Sequence, residues 1–200
     1  MDSKEFARRR KTLMRMVGQE GIAILPAAPV RKRSRDVEYR FRQDSDFYYL
    51  TGFPEPEAVA VLVPGRDKGE YVIFCRERNP DKERWDGKRA GPEGAVELYG
   101  ADDAFPIDDI DDILPGIMES CSRVYYTMGV YAEFDQAAVQ AVTLSREARR
   151  TRGVVVEDQS LHGSGLHRCA CCWAAVASSK HHQPSTRGAA RTSQLSSRKP

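Results

Sequence analysis

Two runs of side chains, AVAVLV from Ala58 to Val63 and YVIFC from Tyr71 to Cys75, are apolar at every position. A strand with one wet face alternates apolar and polar residues, so runs without alternation predict strands covered on both faces. The segment between them, PGRDKGE, is short and rich in turn formers, which makes the two strands neighbours at the centre of a sheet. GIAILPAAP, from Gly21, is a third such run, ended by proline. A sheet buried on both sides needs helices on both sides. That demand fixes the fold class as α/β, with a mixed, mostly buried sheet flanked by helices.

The helices are legible from spacing. Ser3 to Val17 places Phe6, Leu13, Met14 and Val17 on roughly one side of a helix that Ser3 would cap. Its RRRK run, Arg8 to Lys11, is expected to be a solvated face and not a nucleic-acid contact. Ile107 to Ser120 repeats isoleucine and leucine at helical spacing with acids opposite, and Pro115 with Gly116 is expected to bend or divide it. Phe134 to Arg150 is a further helix whose terminal arginines suit the helix dipole. A short helix is expected over Glu93 to Leu98, and strands over Arg123 to Met128 and Val154 to Val156. Phe47 to Thr51 is rich in strand formers and is followed by a forced turn at Gly52, Pro54 and Pro56. Asn79 to Gly94, polar and rich in Gly and Pro, is expected to be a long loop carrying Trp85.

Charge divides the chain sharply. Residues 1–158 hold 25 Lys and Arg against 29 Asp and Glu, a net of −4, while residues 159–200 hold six basic residues and no acidic one. All four histidines (His162, His167, His181, His182) and three of the five cysteines (Cys169, Cys171, Cys172) also lie in the second part. That part lacks Asp, Glu, Ile, Phe and Tyr altogether, a composition that cannot pack a core. The chain therefore divides into a folded domain, 1–157, and a low-order, disordered basic tail, 158–200. So abrupt a switch is what translation in a shifted frame would produce, as in a truncated relative of a longer protein. Cys75 and Cys121 sit in apolar or helix-end surroundings and are expected to be buried free thiols.

The chemistry open to the first part is narrow. It contains no GxSxG elbow, no P-loop and no GxGxxG fingerprint. With no histidine before residue 162, a Ser-His-Asp or Cys-His arrangement confined to it is excluded. The paired acids Asp102–Asp103, Asp108–Asp109 and Asp111–Asp112 project about 100° apart on a helix, which is the pattern of a solvated face and not of convergent metal ligands. In the tail, Cys169 and Cys172 have the two-residue gap of a zinc knuckle, with His167, His181 and His182 nearby, but no second pair of defined spacing follows. No apolar run is long enough to cross a bilayer and none of signal-peptide length follows the charged N-terminus, so a cytoplasmic, non-membrane protein is expected.

Three stretches taken together, EFARRRKTLMRMV, DVEYRFRQDSDFYYLTGFPEPEAVAVLVPG and ERNPDKERWDGKRAGPEGAVELYG, resemble the N-terminal domain of bacterial Xaa-Pro aminopeptidase (aminopeptidase P), from about Glu5 to about Val156. The resemblance implies an aminopeptidase P/creatinase N-terminal-domain-like fold. It also implies a cytoplasmic homo-oligomer that acts on peptides with proline at the second position. In that family two manganese ions are held by two Asp, one His and two Glu of a second domain, and they activate the water that attacks the bond before proline. No residue of this chain is expected to be catalytic or to bind metal, so no cofactor is expected in it. Asp36, in SRDVEY, and Trp85, in ERWDGKR, match positions implied to line the substrate pocket at its mouth. The RQDSDFYY segment would be part of the same rim. A stand-alone domain that binds a peptide or a subunit, and a small zinc protein using the tail, are the alternatives.

Overall fold

In a computed structural model of the chain, residues 3–151 and 166–167 are described. Five strands, β1 (Gly21–Pro26), β2 (Val59–Leu62), β3 (Tyr71–Cys75), β4 (Asp103–Pro106) and β5 (Arg123–Tyr126), form one sheet in the order β4-β3-β2-β1-β5. A two-residue strand, β6 (Leu166–His167), pairs parallel to β5 at that edge. The sheet is mixed: β2 is antiparallel to both β1 and β3, while β5 runs parallel to β1 and β4 parallel to β3. Every residue of β2 and β3 is buried, as the unbroken apolar runs require.

Alternate side chains of those strands enter two separate cores. Ala23, Leu25, Ala60, Leu62 and Ile73 face Leu13 and Val17 of α1 (Ser3–Val17), Phe47 and Leu50 of α2 (Ser45–Thr51), and Ala95 of α4 (Gly91–Tyr99). Ile22, Ile24, Val59, Val61, Val72 and Phe74 face Leu114 and Met118 of α5 (Ile110–Met118) and Ala138 and Ala141 of α6 (Ala132–Thr151). Each fully buried Val, Leu, Ile, Phe or Met among them contributes about 1.5–3 kcal/mol, an upper figure because an unfolded chain already hides some area. The remaining helix, α3, spans Pro80–Asp86.

Several expectations from sequence are overturned. Phe47 to Thr51 is not a strand but most of α2. The Asp44 carboxylate accepts from the N–H groups of Asp46 and Phe47, and Gly52, at φ +69°, turns its N–H back to the Tyr48 carbonyl, so caps at both ends outweigh β propensity. Gly52 is doubly constrained, since a Cβ there would lie 2.6 Å from the Phe6 ring. Asn79 to Gly94 is not a loop: Asn79 caps α3, Pro80 occupies its first turn, and α4 begins at Gly91. Pro115 lies inside α5 without dividing it, and the break falls earlier, at a 3₁₀ turn over Ile107–Asp109. The edge strand β4 had no counterpart in the sequence reading.

The RRRK run is only half a solvated face. Arg9 and Arg10 are buried, donating to the Tyr49 and Leu50 carbonyls at 3.0 and 3.1 Å in the last turn of α2. Their guanidinium groups lie 4.0 Å from the Tyr49 ring and 3.9 Å from the Tyr71 ring. Burial lowers the Arg10 pKa, while Tyr71 and Asp102 oppose that shift. The expected helices at 3–17 and 134–150 and the strands at 21, 58, 71 and 123 are present. The proposed strand at Val154 to Val156 and the Cys169/Cys172 pair lie outside the described residues.

Cys75 and Cys121 are buried and unpaired, and burial pushes the Cys75 thiol up to about 12. In the folded protein both should resist iodoacetamide at pH 8 and react only when denaturant is added, as peptide mass spectrometry would read. Phe47→Ala should cost about 3–5 kcal/mol in urea unfolding, because it empties a fully buried site beside Phe53.

Candidate functional site at the ends of the central strands

Register places the functional loops at one end of the sheet. Pro26 pairs with Val59, and Val59 with Phe74, so the chain leaves β1 and β3 on the same side. The parallel strands β4 and β5 end there too. That end gathers the segment 27–44, the FPEPEA turn before β2, α3, and the loop from β5 to α6. In mixed α/β sheets the carboxyl ends of strands are where loops build sites.

Polar side chains of the RQDSDF stretch fix these loops to one another. The Gln43 amide makes four hydrogen bonds: its Oε1 accepts from Ala28 N at 2.8 Å and Asp44 N at 2.9 Å, and its Nε2 donates to the carbonyls of Glu55 at 2.7 Å and Phe53 at 3.3 Å. Asp44 caps α2 through Oδ1, and its Oδ2 accepts from the Tyr131 hydroxyl at 3.0 Å, which ties in the loop after β5. Glu55 accepts from Ala90 N at 2.7 Å and lies 3.7 Å from Arg76, joining the FPEPEA turn to the WDGKRA segment. Glu57, in the same turn, is held at φ +52°, a strained conformation for a side-chain-bearing residue. Gln43 and Asp44 are therefore internal braces, not side chains free to reach a ligand. Asp44 had a sequence signal, a capping residue before SDFYYLT, whereas nothing in the sequence distinguishes Gln43.

Asp36 and Trp85 are presented outward at this same end. Residues 31–40 form a small hairpin, with an isolated bridge between Lys32 and Glu38 and with the Arg33 and Ser34 N–H groups donating to the Val37 carbonyl. Asp36 sits exposed in its turn. Trp85 lies in the last turn of α3 with 90% of its surface exposed, so it is not a structural anchor within this domain. An indole left in water costs free energy that a partner or ligand would recover.

The described residues do not fit a metal centre. No group of three or more His, Cys, Asp or Glu is placed to hold an ion among them, and the carboxylates Asp44, Glu55, Asp102 and Asp135 already accept backbone or hydroxyl hydrogen bonds. No helix among them is long and apolar enough to cross a membrane.

This layered α/β architecture is that of aminopeptidase P structures. The family described as "Aminopeptidase P, N-terminal domain" matches residues 6–126, and the chain belongs to that family. It is 38% identical over 148 residues to the Xaa-Pro aminopeptidase of Escherichia coli, covering 74% of this chain and 34% of the relative. It is 34% identical over 134 residues to human Xaa-Pro aminopeptidase 3, covering 61% and 26%. Among solved structures, aminopeptidase PepP of Pseudomonas aeruginosa superposes with a TM-score of 0.73 at 58% identity, covering 76% of this chain and 34% of that one. A zinc-substituted Escherichia coli aminopeptidase P in complex with product gives a TM-score of 0.72 at 37% identity, covering 76% and 35%. The chain thus spans a quarter to a third of the length of these relatives.

Asp44→Ala removes a cap and the acceptor for Tyr131, and should cost about 1–2 kcal/mol in unfolding free energy. Tyr131→Phe should cost less and add nothing in the Asp44→Ala background. Burial, then Asp44, push the Tyr131 hydroxyl up to about 12. Its folded value lies above that of a free tyrosine, so its contribution is fully present below about pH 10 and is lost as pH rises through about 12. Unfolding curves across that window should show the loss in the parent protein and a smaller one in Tyr131→Phe.

Proposed function

We propose that this chain is the non-catalytic N-terminal part of a Xaa-Pro aminopeptidase, walling the mouth of the pocket that receives peptides with proline at the second position. The observation that carries this reading is Trp85, 90% exposed at the end of the sheet where the family's hallmark stretches converge. Asp36, exposed in the hairpin turn at the same end, would meet the peptide amine or a basic group of the pocket. The carboxylates and histidine that bind two manganese ions belong to the second domain of full-length members, so the chemistry is supplied there. The protein would work in the cytoplasm as a homo-oligomer, in which the rim of one subunit borders the pocket of another.

Two measurements test this. The purified chain should not cleave Ala-Pro-Ala with manganese, and chelator-sensitive turnover would refute the non-catalytic assignment. In a chimera carrying residues 1–151 of this chain on the remainder of the Escherichia coli enzyme, Trp85→Ala should raise KM for Ala-Pro-Ala about tenfold, the loss of roughly 1.4 kcal/mol of contact, with kcat less affected. If KM is unmoved by both Trp85→Ala and Asp36→Asn, the rim assignment fails.

A further inference from the structure

Trp85 is carried on a segment that has no core of its own. β3 ends at Cys75 and α4 begins at Gly91, and among the described side chains from Glu77 to Arg89 none is buried. α3, which bears Trp85, is capped by the Asn79 side chain at its start and has Arg78 3.5 Å from Glu83. Those bonds shape the helix without tying it to the domain. Past it, Gly87 turns the chain back at φ +87°, in a place where a Cβ would meet nothing, so packing does not hold that bend either. What keeps the excursion in one place must therefore lie at its base.

One carboxylate grips both ends of that base. Glu55 Oε1 accepts from Ala90 N, where the excursion returns, at 2.7 Å, and Oε2 lies 3.7 Å from Arg76 Nη2, where it leaves. Arg89 draws the two stems together by donating to the Glu77 carbonyl at 3.5 Å. The Glu55 and Arg76 side chains are only 14% and 16% exposed, so solvent and salt screen their attraction little. Glu55 is itself fixed, because Gln43 Nε2 donates to its carbonyl at 2.7 Å and Phe53, two residues before it, is fully buried. We infer that Glu55 is a positioning residue for the peptide pocket: by clamping both stems of residues 77–89 it sets where Trp85 stands, and so governs peptide binding without touching the peptide. The inference rests on the reading of Trp85 as a wall of that pocket. A segment packed by apolar side chains tolerates the loss of one carboxylate, whereas one held at its base swings. A wall out of place weakens substrate and transition state alike, which raises KM and spares kcat.

Hydrogen exchange of the full chain, read by mass spectrometry, tests the clamp directly. Glu55→Ala should speed exchange in peptides covering 77–90 about tenfold while peptides from β2 and β3 keep the parent rate. Glu55→Gln keeps the side chain's size and an acceptor for Ala90 N, and should speed it less. In the chimera with the Escherichia coli enzyme, Glu55→Ala should raise KM for Ala-Pro-Ala about fivefold with kcat near the parent's, Glu55→Gln should raise it less, and Glu55→Ala should add nothing to Trp85→Ala. Exchange over 77–90 that stays at the parent rate in both variants overturns the inference. So does exchange that rises throughout the domain even in Glu55→Gln, which marks a general loss of stability. Effects on KM that multiply in the double variant overturn it as well, since Glu55 then acts apart from Trp85. A KM that responds to Trp85→Ala but to neither Glu55 variant ends the positioning role and leaves the rim reading standing, whereas a KM unmoved by Trp85→Ala ends both.

Discussion

A strand with no exposed side chain obliges the rest of the chain to cover it twice. β2 and β3 are such strands, and the helices are distributed by that obligation: α1, α2 and α4 close one face, α5 and α6 the other. The order of strands follows as well. Only β2 and β3 are joined by a short connection; β1 reaches β2 through the segment that carries α2, and the parallel flanks β4 and β5 are reached through helices. With both faces occupied, the surface left for loops of any size is the pair of strand ends, and the longer loops collect at one of them.

Loops that cross the end of a buried sheet bring backbone polar groups with them, and each must find a partner or remain wet. A run as polar as RQDSDF leads into α2 at this end of the sheet for this reason. The Gln43 amide serves donors and acceptors from Ala28, Asp44, Phe53 and Glu55 at once. Asp44 and Glu55 extend the same brace to the β5–α6 loop and to the segment after α3. Because these residues hold the frame, the surface it displays is made by others: the hairpin over 31–40, and Trp85.

The layer architecture was legible because burial on both sides leaves an unmistakable trace in Ala58 to Val63 and Tyr71 to Cys75. Long helices with an apolar stripe, such as α1, were legible too. What failed was local. Tyr48, Tyr49 and Thr51 favour strands by propensity, and the decisive information lay outside them, in Asp44 and Gly52. α3 carried an Asn-Pro start that composition in Gly and Pro obscured. β4 is four residues ending in proline, too short for alternation to register. At the candidate site, the sequence singled out Asp36 and Trp85 but not their placement at one end of the sheet, which only strand register reveals. The inward turn of Gln43 and of Arg10 was invisible, since nothing in a polar residue's identity says which way it points.

One pairing sets the order in which this domain can assemble. β1 is flanked on one side by β2, the next strand along the chain, but on the other by β5, with Gly21 opposite Arg123. A chain emerging from the ribosome can close the β1–β2–β3 trio first, yet the remaining edge of β1 stays open until β5 has been made, about fifty residues after Cys75. Until then an apolar strand offers unpaired amides and carbonyls to any neighbour, and this interval is when the nascent polypeptide most needs a chaperone.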